Sequence, residues 1–224
     1  MKTCLFIILL AVTAFSFGQK KTLLFKDSFS KNKLDSNWII ETMPLKGSSI
    51  TVQNGKLILD TENGVTLWYK QKLNGNIQIE FTRKIIMDSG RNDRLSDLNQ
   101  FWMATDPQQK MFTRKGGFKE YDSLQMYYVG MGGNYNTTTR MRRYNGNGEL
   151  KITGEYKDSS HLLVANKTYR IKIIVQNGNN KFYVDDKLFF DFTDDKPFTN
   201  GWFALRSTKS HQEIDKVKIW QLSE

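Results

Sequence analysis

Arginine, tyrosine, amide and hydroxyl side chains crowd into one stretch of this chain, Asn99–Tyr144: NQFWMATDPQQKMFTRKGGFKEYDSLQMYYVGMGGNYNTTTRMRRY. Two alternating runs, Leu124–Gly130 and Thr137–Tyr144, flank the glycine- and asparagine-rich link Gly130–Asn136. In an extended chain neighbouring side chains take opposite faces, so Arg140 and Arg142 share one face and Arg143 takes the other. Tyr128, Tyr135, Tyr144, Asn99, Asn134 and Asn136 lie close by in sequence. Such a set suits β-elimination from a uronic acid. The C5 hydrogen becomes removable only when the carboxylate is neutralised where enolate charge develops. A base then takes the hydrogen and an acid protonates the departing O4. In a lyase O4 carries the next sugar; in a dehydratase it leaves as water. Both give a 4,5-unsaturated uronide.

The roles follow from the residue types. Arg140 and Arg206 are expected to neutralise the carboxylate. Tyr128 or His211 is expected to remove the C5 proton, with the other protonating O4. For gluco-configured uronates O4 and H5 leave from the same side, so one tyrosine can serve as both. Asn99, Trp102 and Asn134 are expected to orient the sugar, with Arg142 and His161 as further contacts. Each choice has a plainer alternative. Tyr127 and Tyr128 adjoin, so one enters the core and one faces the cleft, and alternation alone does not say which. A lone histidine is often a structural hydrogen-bonder, and His161, in KDSSHLL, suits fixing a loop. Trp38, Trp202 and Trp220 read as core, whereas Trp68 is ambiguous.

Other chemistries fit less well. A glycosidase needs paired carboxylates; an E-x-D-x-x-E strand is absent, and Glu120 with Asp122, or Glu149 with Glu155, are the nearest candidates. Glu120 and Asp122 share a face only if their segment is extended. The acidic run Asp185-Asp186, Asp191, Asp194-Asp195 matches no calcium loop spacing and suits hairpin tips. Two histidines and no second pair argue against zinc, and no G-x-S-x-G elbow is present. No metal and no cofactor is expected.

The elements that must position these residues are short alternating runs: Ser49–Gln53, Lys56–Asp60, Thr66–Lys70, Asn76–Ile86, Tyr169–Gln176, Lys181–Val184, Lys187–Phe192, Gly201–Ser207 and Ile214–Gln221. Asn-Gly pairs punctuate the chain, among them those at 54, 63, 74, 145, 177 and 200, and Asn-Gly between alternating runs is a strong hairpin signal. The three prolines, Pro44, Pro107 and Pro197, suit loops. No window offers an amphipathic helix longer than two turns. The pattern predicts an all-β sandwich.

Residues 1–18 read as a cleaved signal peptide: Lys2, an apolar run over Leu5–Phe17, and Ser16-Phe17-Gly18 before Gln19. The protein is therefore expected to be exported, periplasmic or secreted, without membrane insertion. Cys4 is the only cysteine, so residues 19–224, read as one domain, carry neither disulfides nor thiolate sites. The net charge is +10, and a basic surface concentrates anions. Outside the membrane the expected polyanion is an acidic polysaccharide rather than nucleic acid, and a monomer is expected.

FKDSFSKNKLDSNWII, ITVQNGKLILD and TLWYKQKLNGNIQIEF resemble the first strands of concanavalin A-like lectin/glucanase jelly rolls. KFYVDDKLFFDFTDDKPFTNGWFALRSTKSHQEIDKVKIW resembles the last. The resemblance implies a jelly-roll β-sandwich of two antiparallel sheets, a fold shared by lectins, hydrolases and lyases. FWMATDP, YDSLQMYYVGMGGNYNTTTRMRRY, EYKDSSHLL and LRSTKSH resemble a secreted polysaccharide-utilisation family that includes ulvan oligosaccharide dehydratases. That resemblance implies an anionic oligosaccharide or polysaccharide substrate and dehydration of a terminal glucuronate. A non-catalytic carbohydrate-binding module, or a glycoside hydrolase using Glu120 or Asp122, stands as the alternative.

Overall fold

Alternating runs rich in β-branched and aromatic residues become strands because one face can be buried while the other stays wet. The computed structural model describes residues 20–44 and 46–223; the expected signal peptide lies outside them. The strands are β1 (Lys21–Asp27), β2 (Trp38–Thr42), β3 (Ser49–Gln53), β4 (Lys56–Thr61), β5 (Val65–Tyr69), β6 (Leu73–Asn74), β7 (Ile77–Ile85) and β8 (Leu98–Thr105). They continue as β9 (Gln125–Gly132), β10 (Thr138–Asn145), β11 (Leu150–Tyr156), β12 (Thr168–Gln176), β13 (Asn179–Val184), β14 (Lys187–Thr193), β15 (Asn200–Ser207) and β16 (Ser210–Leu222). Two antiparallel sheets result, as the sequence predicts. The first runs β14-β13-β12-β7-β16-β4-β3 with β1 on β16; the second runs β11-β10-β9-β8-β15-β5-β2 with β6 on β15.

The main core lies between the sheets. From the first come Ile77, Ile79, Phe81, Ile171, Phe182 and Ile219; from the second come Leu67, Trp102, Tyr127, Met141, Phe203 and Leu205. Burying each large side chain contributes about 1.5–3 kcal/mol. β7 alternates strictly, and its inward positions include Arg83 as well as Ile77, Ile79, Phe81 and Ile85.

A second apolar cluster covers part of the outer face of the second sheet. The long connection from β8 to β9 folds back so that Tyr121, Leu124, Met111 and Phe112 pack on Trp68, Phe101 and Ala204. This settles Trp68, which is fully buried. Glu41 ties the cover down, accepting from Trp68 Nε1 (2.7 Å), Tyr121 Oη (2.9 Å) and the Arg114 N–H (2.8 Å).

The Asn-Gly pairs divide. Those at 54, 145 and 177 join antiparallel neighbours β3–β4, β10–β11 and β12–β13. Asn63-Gly64 and Asn74-Gly75 instead carry the chain from one sheet to the other, and Asn200-Gly201 begins β15. A Cβ on Gly64 would collide with the Gly116 carbonyl of the cover. That glycine serves close approach rather than a turn. Trp202 and Trp220, expected in the core, are half-buried on outer faces, with Lys72 over the first ring at 5.2 Å and Lys21 over the second at 4.5 Å.

Candidate functional site

Where the cover stops short of β9 and β10 it leaves a pocket of about 60 Å³. Its floor is the outer face of the second sheet: Asn99 and Phe101 from β8, Tyr128 from β9, Arg142 and Tyr144 from β10, and Arg206 from β15. Its rim comes from Phe118, Tyr121 and Asp122 of the cover, with Leu150 and Thr208. Register brings the floor together, because Asn99 lies opposite Gly130 and Arg206, and Tyr128 lies opposite Phe101 and Arg142.

Tyr128 leans along its own strand and donates from Oη to Asn99 Oδ1 at 3.0 Å. It can do so because residue 130 is glycine. A Cβ there would overlap the phenol oxygen and sit 2.7 Å from Asn99 Oδ1. The Arg142 guanidinium lies 5.5 Å from the Tyr128 ring centroid. Burial raises the Tyr128 pKa well above that of a free phenol; Tyr144 adds to the rise, and Arg142 and Arg206 oppose it. The phenol is therefore protonated at neutral pH.

Arg206 is 3 % exposed and makes three hydrogen bonds: Nη1 to Thr66 Oγ1 at 2.8 Å, and Nη2 to the Gly116 and Gly117 carbonyls at 3.2 Å each. Its guanidinium also lies 4.3 Å from the Tyr121 ring. It both charges the pocket and fastens the cover. Beneath the floor, buried Arg83 donates to the Asn99 carbonyl (2.5 Å), the Arg206 carbonyl (3.2 Å) and the Gln212 side chain. Burial pushes its pKa down to about 9. Arg83 thus aligns the β8 and β15 backbones that carry Asn99 and Arg206.

Electrostatics single out two of these cations. Six of the nine arginines are ion-paired: Arg91 with Glu62, Arg94 with Asp97, Arg114 with Asp106, Arg140 with Glu155, Arg143 with Asp194 and Arg170 with Asp186. Among the described residues, Arg83, Arg142 and Arg206 have no carboxylate within ion-pairing distance, and of these only Arg142 and Arg206 line the pocket. Asp122 shares the pocket, and burial raises its pKa against the pull of Lys119, Arg142 and Arg206.

The other face of the same strands is built from the same residue types. Arg143 lies opposite Tyr127. Tyr127 Oη donates to Asp194 Oδ2 at 2.6 Å, and Arg143 Nε donates to the same oxygen at 2.7 Å. Tyr127 is fully buried in the core. Of the adjoining tyrosines, Tyr128 is the one that faces the pocket.

The expected site residues separate. Asn99, Tyr128, Arg142 and Arg206 meet in the pocket. Arg140 shares the outer face but is bonded to Glu155 and does not line it. Trp102, expected to stack on a sugar, is wholly buried between the sheets, its Nε1 donating to Asn180 Oδ1 at 2.8 Å. Its position in β8 has the core-facing parity, opposite Tyr127.

His211 does not join Arg206. The chain crosses to the first sheet between them, where Gln212 points inward and His211 outward, its Nδ1 3.2 Å from Asp93 Oδ1. Asn134 is exposed at the β9–β10 tip and lies outside the pocket. His161 fixes a loop: its ring stacks on Tyr156 at 3.8 Å and its Nδ1 lies 2.8 Å from Asp158 Oδ1.

The segment with Glu120 and Asp122 is a series of turns, not a strand, with the Asp122 N–H donating to the Lys119 carbonyl at 3.2 Å. Glu120 accepts the Lys115 and Gly117 N–H groups at 2.8 and 2.9 Å, while Asp122 lines the pocket. Asp185 and Asp186 form the β13–β14 turn with φ of 50° and 66°, as suits hairpin aspartates. Sequence reasoning missed Tyr121 and Arg83. For Arg83 the signal was present: a charge at an inward position of a strictly alternating strand.

Among solved structures, the fold is similar to a protein of unknown function with a galectin-like fold from Bacillus subtilis, 15 % identical, covering 92 % of this chain and 100 % of that one at a TM-score of 0.72. It is similar to an endo-β-1,3-glucanase from Pyrococcus furiosus, 11 % identical, covering 93 % and 97 % at 0.64. It is also similar to the carbohydrate-binding module CBM66 from Bacillus subtilis, 15 % identical, covering 83 % and 96 % at 0.57. These likenesses establish the jelly-roll fold. No curated protein matches the chain by sequence. A family model described as "Domain of unknown function (DUF6250)" matches residues 59–217, which takes in the whole pocket floor. The chain belongs to that family.

Proposed function

We propose that the protein is an exported carbohydrate-active enzyme that performs β-elimination on a uronic-acid oligosaccharide, with the uronate carboxylate held in the pocket. The observation that carries this reading is the meeting of Arg142 and Arg206, neither ion-paired to a carboxylate, with the Tyr128 phenol. The pocket volume suits a carboxylate group rather than a whole sugar. Arg142 and Arg206 would neutralise that carboxylate and stabilise the enolate. Tyr128, ionised in the active form, would take the C5 proton and pass it to O4 on the same side, with Asn99 holding the phenol. Dehydration of a terminal glucuronate, as in ulvan-type fragments, is the specific reaction proposed. The glucanase and the binding module among the similar structures support a carbohydrate ligand.

A second reading, a non-catalytic carbohydrate-binding module, is favoured by one observation: the raised Tyr128 pKa leaves little phenolate at neutral pH. One experiment separates the readings. Incubation with glucuronate-terminated oligosaccharides is followed by the ultraviolet absorbance of the unsaturated uronide and by mass. Absorbance with loss of water supports the dehydratase, and absorbance with a new reducing end a lyase. Binding without product supports the module. New reducing ends without absorbance would support hydrolysis using Asp122 and overturn elimination.

A further inference from the structure

The tip joining β9 to β10 holds three consecutive non-glycine residues in the left-handed region: Asn134 (φ 52°, ψ 55°), Tyr135 (φ 57°, ψ 47°) and Asn136 (φ 62°). Asparagine tolerates that conformation, whereas a bulky side chain such as tyrosine does so at a cost. The surroundings enforce it. Asn136 Oδ1 accepts from the Leu163 N–H at 2.8 Å and its Nδ2 donates to the Leu163 carbonyl at 2.9 Å. Thr137 Oγ1 donates to the Asn134 carbonyl at 2.9 Å, and the Thr137 N–H to the Gly133 carbonyl at 3.0 Å.

Burial does not explain the cost, because Tyr135 is 80 % exposed. The ring is nonetheless braced. The Arg94 guanidinium lies 5.0 Å from its centroid and is ion-paired to Asp97, two residues before Asn99. Strain that is enforced by neighbours and yields an exposed, oriented side chain points to function.

We propose that Tyr135 is a stacking platform for a sugar ring outside the pocket, so that the tip forms a second subsite for an acidic oligosaccharide. This rests on the carbohydrate reading above. From Tyr128 to Gly132, where the tip begins, is four residues of strand, on the order of 13 Å at about 3.3 Å per residue. One sugar anchored by its carboxylate stops short of the ring; an oligosaccharide reaches it. The aromatic face meets the apolar face of a pyranose, with Arg94 covering one side.

The test is calorimetric binding of a glucuronate-terminated disaccharide and hexasaccharide to wild type, Tyr135→Asn and Arg142→Ala. Asparagine keeps the backbone conformation and removes the ring; Tyr135→Gly is the second variant, free of strain at that φ. Wild type is expected to bind the hexasaccharide more tightly than the disaccharide. Both Tyr135 variants are expected to bind the hexasaccharide about ten-fold more weakly and the disaccharide unchanged, with melting temperature unchanged or higher. Arg142→Ala is expected to weaken both probes. If the Tyr135 variants keep the wild-type preference for the longer probe while Arg142→Ala weakens both, the platform is overturned and the pocket reading stands. If Arg142→Ala binds like wild type while the Tyr135 variants lose the length preference, the platform stands and the pocket reading fails. If wild type binds neither probe, both are overturned.

Discussion

Tyr127 with Arg143, and Tyr128 with Arg142, are the same residue pair built twice on the same two strands, one on each face. On the core side a chain carboxylate, Asp194, accepts from both members and closes the set. On the outer side, among the described residues, no carboxylate bonds to either member, Asp122 lining the pocket without an ion pair to them; the phenol turns to Asn99, and Arg206 adds a second cation. Charge that is satisfied internally builds the fold. Charge that the chain leaves open to a pocket is available to an anionic ligand. The Asp194 set thus shows what this residue pair does with a carboxylate, and the pocket is where an external one would play that part.

The largest expected effect breaks the comparison by removing the arginines one at a time. Arg142→Ala should lower kcat/KM for elimination by about 10²–10³-fold with little change in melting temperature. Arg143→Ala should do the reverse, costing up to about 3–5 kcal/mol by leaving the buried Asp194 carboxylate without its cation. Absorbance kinetics and thermal melts on both variants decide it, and equal destabilisation with retained activity would erase the distinction. Removing the hydroxyls comes next. Tyr128→Phe should cut turnover at least about 100-fold while oligosaccharide affinity holds. Tyr127→Phe should cost about 1–3 kcal/mol, since Asp194 and the Phe198 N–H lose a partner, with turnover intact.

A smaller perturbation displaces the phenol without altering it. Gly130→Ala should reduce turnover by up to about 100-fold, the scale of a catalytic group misplaced by about 1 Å, and the Tyr128→Phe background should abolish that effect. The smallest expected effects are in pH. Burial raises the Tyr128 pKa, so the fraction of active phenolate, and with it kcat/KM, should still be rising at pH 10. Burial pushes the Asp194 carboxyl up, but Arg143, Tyr127 and the Lys196 N–H outweigh it and hold it below 3.8. The stability this charge contributes is complete above that pH and is lost as pH falls below it towards the depressed value. Asp194→Asn should flatten that acid limb in a series of melts, and a limb that survived the substitution would assign it to other groups.

The sequence carried the fold well, because period-two alternation reports burial directly. It also carried the separation of Arg142 from Arg143. Parity failed where it had to cross a bend: Arg206 and His211 are five residues apart, yet they stand on different sheets. Trp102 was misassigned because an aromatic within a polar-rich segment looks like a ligand platform until its strand's phase is known. The cover was illegible, since turns that pack by burying Tyr121 and Leu124 have no period to detect. Arg83 was legible in phase, but its hydrogen bonds join strands distant in sequence.

The β9–β10 tip has a consequence for how this chain can vary. It joins two strands whose register decides which residue of β10 stands opposite each residue of β9. A deletion or insertion of one residue within 133–137 that shifted the pairing by one would present Arg143 to the pocket and Arg142 to Asp194, scrambling ligand recognition and core repair together. A change of two residues would preserve parity and shift the pairing by a full repeat. Length variation at this tip should therefore either be absorbed within the turn or shift the pairing in even steps, so the register of the two strands works as a frame-keeper for the two faces.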